Sequence, residues 1–153
     1  MKKIFVMALL TTASIVTLGQ THTAKITKTP EEKLNEEYCS GLFRLADGTI
    51  LDLVNSDQNA QGYLNILDWL EGRVAGLQVF TSRTGVRVPF IRGSYAKIYV
   101  DEIAIDAGFL NTLPVSDIAM IKVIKGLFAG NAGGGGAIAI YTIKGDYEEE
   151  DQE

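Results

Sequence analysis

Few residues in this chain are equipped for chemistry. There is one histidine and one cysteine. His22 falls in an N-terminal stretch with the features of a cleaved leader. A Ser-His-Asp triad, a Cys-His pair or a histidine zinc site needs its imidazole in the folded protein, so none is expected here. Cys39 has no second cysteine to pair with. It is either an intermolecular link or reactive thiol, or a small apolar residue packed into the fold. Packing is preferred, because its charged neighbours Glu36 and Glu37 would raise a thiol pKa rather than lower it. Asp101, Glu102 and Asp106 would suit calcium by residue type, but their spacing lacks the alternation of an EF loop, and a polar hairpin tip is preferred. The run Gly133, Gly134, Gly135 and Gly136 invites comparison with a phosphate cradle. It lacks the Gly-Lys-Ser/Thr ending and precedes a strand rather than a helix, so it offers a phosphate no helix N-terminus. Arg83, Arg87 and Arg92, with Lys97 beyond, form either a basic patch for an acidic partner or a solvated edge. No catalytic residue, metal ligand or cofactor site is expected.

Two apolar runs flank the glycines, at residues 118–124 and 137–143. Each has the length and β-branched content of a strand, and each is largely apolar on both faces. Such strands lie inside a sheet covered on both sides. The glycines permit positive φ or a close pass against another segment. The expected fold class is α+β: a small mixed β-sheet with short helices and long loops.

At 153 residues the chain is long enough for one domain with a core. Hydrophobic residues make up 46% and charged residues 22%, which are globular values. The net charge is −5 and no basic patch of nucleic-acid type is visible, so no nucleic-acid partner is expected. Residues 1–24 carry Lys2 and Lys3, then an apolar run to Leu18, then plausible cleavage points at Gly19-Gln20 and Thr23-Ala24. This is the pattern of a secretory signal peptide, and the run is short for a membrane span of roughly 20 apolar residues. No lipoprotein cysteine stands after it. Losing the two lysines takes the net charge from −5 to −7. No membrane span is expected after cleavage.

In chain order, residues 25–61 are expected to form a polar lead-in, with a helical turn after Pro30, and then a hairpin. Asp47-Gly48 supplies the hairpin signal, with strands at 42–45 and 49–53. Residues 55–62 form a polar loop. Apolar residues at Tyr63, Ile66, Leu67, Leu70 and Val74 predict a helix over 63–74, capped near Asn65 and closed near Gly76. Trp69 is expected at the flank of the core rather than as a ligand platform. A strand at 77–80 leads through a basic turn to residues 86–92. Pro89 places that segment at a sheet edge or bulge. Residues 97–105 form a hairpin with Asp101-Glu102 at its tip, and a helical turn at 107–113 ends at Pro114. The tail, residues 146–153, is acidic and solvated.

Taken together, the pieces Leu70-Glu71-Gly72-Arg73-Val74-Ala75-Gly76, Ile91-Arg92-Gly93, Tyr99-Val100-Asp101-Glu102, Lys122-Val123-Ile124-Lys125-Gly126 and Gly136-Ala137-Ile138 resemble, in order and spacing, the plug domain of TonB-dependent outer-membrane receptors. The likeness is strongest to the SusC-like type of Bacteroidetes and covers residues 62–145. It implies a plug-like domain there. Glu102 departs from the usual Val-Asp-Gly turn. Asn131, Ala132 and the glycines stand where many family members carry a loop arginine. The 42–53 hairpin is expected to stand in for the receptor's first plug strand. A bacterial barrel needs at least about eight strands of roughly ten residues, and only the acidic tail follows residue 145, so no pore is expected from this chain alone.

What the resemblance implies is a secreted protein–protein interaction module, not an enzyme, located in the periplasm or at the outer membrane. Its expected partner is an outer-membrane β-barrel transporter or the TonB complex, met through Arg83, Arg87, Arg92 and Gly133–Gly136. The alternatives are a free-standing domain that binds a small ligand or glycan, or a remnant of a larger receptor.

Overall fold

The computed structural model describes residues 28–55, 60–131 and 135–144. The expected leader, the acidic tail, Ala132, Gly133 and Gly134 lie outside the described residues. In chain order the elements are α1 (Pro30–Tyr38), α2 (Gly41–Leu45), β1 (Thr49–Asp52), α3 (Ile66–Leu70), β2 (Leu77–Thr81), β3 (Arg87–Ile91), β4 (Ser94–Tyr95), β5 (Lys97–Val100), β6 (Ile103–Ile105), β7 (Ile118–Ile124) and β8 (Ala137–Thr142). Two 3-10 turns, Ala107–Asn111 and Val115–Asp117, lie between β6 and β7.

The main sheet has five strands in the order β1-β7-β8-β5-β6. All its pairings are antiparallel except β5 with β8. The smaller sheet is an antiparallel β2-β3-β4. Every residue of β7 is buried. Alternation along the central strands sorts their side chains onto two faces. Ile121, Val123, Ile138, Ile140 and Ile98 face a core made with α3, Leu77, Ile91 and Leu110. Met120, Ile124, Ala139, Tyr141 and Tyr99 face a second core with Cys39, against which Leu34, Tyr38 and Phe43 pack. Helices cover both faces, which is why both faces of the central strands are apolar.

Several sequence expectations are corrected. Residues 42–45 are helical, in α2, and β1 pairs with β7 rather than with a hairpin partner. The misread signal was Gly48. A Cβ there would stand 2.8 Å from the carbonyl oxygen of Val123, so the glycine serves a close pass beneath β7. The lead-in helix is longer than one turn. Pro30 opens α1, and Thr29 and Glu32 cap it reciprocally. The 63–74 helix shrinks to α3. Tyr63 and Leu64 are exposed, and the Asn65 side chain accepts from the Leu67 amide. Asn65 is therefore the cap, as expected. The chain leaves the helix at Glu71, before two glycines at positive φ, Gly72 and Gly76. Pro89 lies in the middle strand of its sheet, not at an edge. It is tolerated because the Pro89 carbonyl accepts from Ala96 just past the two-residue β4, so the missing amide falls where the ladder ends.

The β5–β6 hairpin forms as expected. Its tip residues Asp101 and Glu102 both have positive φ, +46° and +69°, which defines a type I′ turn built without glycine. Trp69 is fully buried, with the Arg73 guanidinium 4.8 Å from its ring centroid.

Candidate functional site

The segment leaving β7 is folded back on itself. The Tyr99 hydroxyl donates to the Gly130 carbonyl at 2.6 Å. The Asn131 side-chain amide donates to the carbonyls of Gly135 and Gly136 at 2.9 and 3.1 Å. Lys97 N–H donates to the Gly136 carbonyl at 3.1 Å and starts the parallel pairing of β5 with β8. A Cβ on Gly135 would stand 2.2 Å from the Tyr95 carbonyl oxygen, and one on Gly136 2.3 Å from that of Ile124. These two glycines therefore let backbone cross backbone. Neither takes positive φ.

The arginines do not form one patch. Arg83 is exposed on the turn between β2 and β3. Arg87 begins β3. Its Nε lies 3.1 Å from Asp68 Oδ1, and its Nη1 donates to Thr81 Oγ1 at 2.6 Å. Arg92 sits past the far end of β3 at φ +52°, with its amide donating to the Gly76 carbonyl. There it borders an open cleft of about 400 Å³ with Asp47, Lys125 and Leu127. The structure thus groups Arg92 with the glycine crossing through the β3–β4 turn, and groups Arg83 with Arg87 at the other end of the strand.

A second polar cluster was not anticipated from the sequence. The Glu102 carboxylate accepts from the Ser40 amide, the Ser40 hydroxyl and the Tyr141 hydroxyl. Lys122 is 2% exposed, and its Nζ donates to Asn35 Oδ1 at 2.7 Å and to the Phe43 carbonyl at 2.6 Å. Burial holds the Lys122 ammonium below the usual lysine pKa range. Burial likewise pushes up the Cys39 thiol and the Tyr141 phenol. Cys39 is thus a packed residue, 1% exposed, and burial rather than Glu36 or Glu37 sets its shift. Two signals marked this cluster in the sequence: a lysine inside an otherwise apolar strand, and a glutamate where a type I′ turn favours glycine.

Among the described residues, no cluster of three His, Cys, Asp or Glu side chains is placed to hold a metal ion. No helix among them is long and apolar enough to cross a membrane.

Comparison with known proteins agrees with this architecture. Residues 48–140 match the TonB-dependent receptor plug domain. The chain belongs to that family. Among solved structures, the peptide importer RagAB in its "open-open" state matches with 26% identity and a TM-score of 0.50, over 65% of this chain and 12% of that one. Its "closed-closed" state matches with 25% identity and a TM-score of 0.50, over 67% and 13%. The chain therefore corresponds to about an eighth of the length of those proteins. No curated protein matches it.

Proposed function

We propose that this chain is a secreted interaction module of the cell envelope that works in TonB-dependent outer-membrane nutrient uptake by contacting a β-barrel transporter or the TonB complex. The observation that carries this is the plug-family match over residues 48–140, which spans the main sheet from β1 almost to the end of β8. A plug acts by filling and contacting a barrel, and nothing in the geometry above asks for a bond to be made or broken. The module is of the SusC-like type and reaches the periplasm or the outer membrane through its leader. The contacts we assign are Arg83 with Arg87 at one end of β3, and Arg92 with the glycine crossing at the other. The arginines present cations at the rim of the smaller sheet; Gly135 and Gly136 are themselves buried, so at that end the contact falls to Arg92.

The test is co-purification. Tagged protein lacking residues 1–24 is passed over detergent-solubilised envelopes of its own cell, and the retained proteins are identified by mass spectrometry. Recovery of an outer-membrane β-barrel or a TonB-complex component supports the proposal. A soluble monomer with no such partner, stabilised instead by a small ligand or glycan in a thermal-shift screen, would favour a free-standing binding domain.

A further inference from the structure

Residues 29–46 precede the stretch that matches the plug family and contribute no strand. They lie across the second face of the main sheet. Their apolar grip is thin. Neither α1 nor α2 has a fully buried residue, and only Cys39 between them is buried. Leu34, Tyr38 and Phe43 pack half-buried against the sheet. The polar grip is more extensive. Glu102 holds Ser40 at the junction of the two helices. Lys122 holds Asn35 of α1 and the Phe43 carbonyl of α2. Lys144 Nζ donates to the Glu37 carbonyl at 2.8 Å. Within the segment, Arg44 bonds the carbonyls of Glu36 and Cys39, so the two helices are tied to each other as one body.

We propose that residues 29–46 form a strap that is clasped to the sheet by Glu102 and Lys122 and opens as a unit while the opposite core stays folded. Two features single out the clasp. Glu102 occupies a left-handed turn position at φ +69°, a conformation that is strained for any residue with a side chain. Glycine would relieve that strain but has no carboxylate to reach Ser40. Lys122 is buried, and both acceptors of its hydrogen bonds come from the strap. Its charge is therefore satisfied by the strap when closed and by water when open. The core on the other face, with α3, β2, β3 and Leu110, shares no residue with the strap, so opening leaves it intact. Opening uncovers Tyr99, Met120, Ala139 and Tyr141, and turns a covered face into an accessible apolar one.

Hydrogen exchange by mass spectrometry on the full chain tests this. In the wild-type protein, amides of residues 31–46 should exchange at least tenfold faster than those of β7 and β8. In Glu102→Gly they should accelerate a further tenfold, with α3, β2 and β3 unchanged and the global melting temperature not lowered, since the turn is relieved. Equal exchange rates for strap and sheet in both proteins would overturn the proposal and make the segment part of one cooperative core. If Glu102→Gly fails to fold, Ser40→Ala decides. It removes one hydroxyl donor from the clasp and should accelerate the strap severalfold and nothing else. No acceleration there would likewise overturn the proposal.

Discussion

Gly136 lies directly beneath Ile124: a Cβ added to the glycine would stand 2.3 Å from the isoleucine's carbonyl oxygen. The obstacle is backbone, which cannot rotate away as a side chain can. Gly136→Ala is therefore expected to cost about 1–3 kcal/mol, the range for overpacking a closed site. Gly135→Ala should behave alike against the Tyr95 carbonyl. Gly126→Ala meets nothing within 4 Å and lies outside the positive-φ region, so it should be near neutral. Denaturant melts of the three variants check this ordering.

Ile121 and Ile140 pair across β7 and β8, and both are fully buried. A carboxylate at Ile140 would be unpaired in an apolar core, a penalty larger than most domains' spare stability. Ile140→Asp should show no cooperative thermal transition by circular dichroism. A melting curve like that of the wild type would contradict the placement of β8.

Alkaline pH should destabilise the fold. Cys39 and Tyr141 have raised native pKa values, so the native state keeps their protons after the unfolded chain, with values near about 8.5 and 10, has released its own. The unfolded chain then binds fewer protons, and stability falls as pH rises past those unfolded values. Lys122 acts in the opposite sense. Its lowered value makes stability rise with pH up to the unfolded lysine value near about 10.4. The tyrosines Tyr38, Tyr95, Tyr99 and Tyr141, all raised by burial, join Cys39 against this single lysine. Denaturant melts as a function of pH should therefore show a loss beginning near pH 9. Tyr141→Phe should flatten that loss whatever its effect at neutral pH.

Arg87 and Asp68 are about one-third exposed, so their ion pair contributes little to stability. Arg87→Ala should cost less than about 1 kcal/mol. If the assigned contact is correct, the same variant weakens recovery of the envelope partner by far more than it shifts the melting curve.

The central architecture was legible because its signals are local and strong. Largely apolar seven-residue runs at 118–124 and 137–143 announce covered strands, and β7 and β8 form there. The hairpin tip at Asp101-Glu102 and the Asn65 cap also follow from short-range chemistry, whereas the type I′ geometry of that tip shows only in the structure. What failed depended on distant partners. Asp47-Gly48 has the composition of a turn, yet Gly48 is small because Val123, 75 positions away, passes over it. Tyr63 carries the helical period but finds no core to face. Arg83, Arg87 and Arg92 are near in sequence, but a five-residue strand separates Arg92 from Arg87. Lys122 and Glu102 stood out singly, but their partners could not be read for the same reason: Glu102 and Ser40 are 62 positions apart.

The most direct measurement is photo-crosslinking in intact cells, with a benzophenone amino acid placed at Arg83 and, separately, at Arg92. Both positions are exposed, so the fold should tolerate the probe. The account predicts a discrete adduct from at least one of them, whose partner is an outer-membrane β-barrel protein or a TonB-complex component. Adducts only with soluble proteins unrelated to transport, or none at either position, would contradict it.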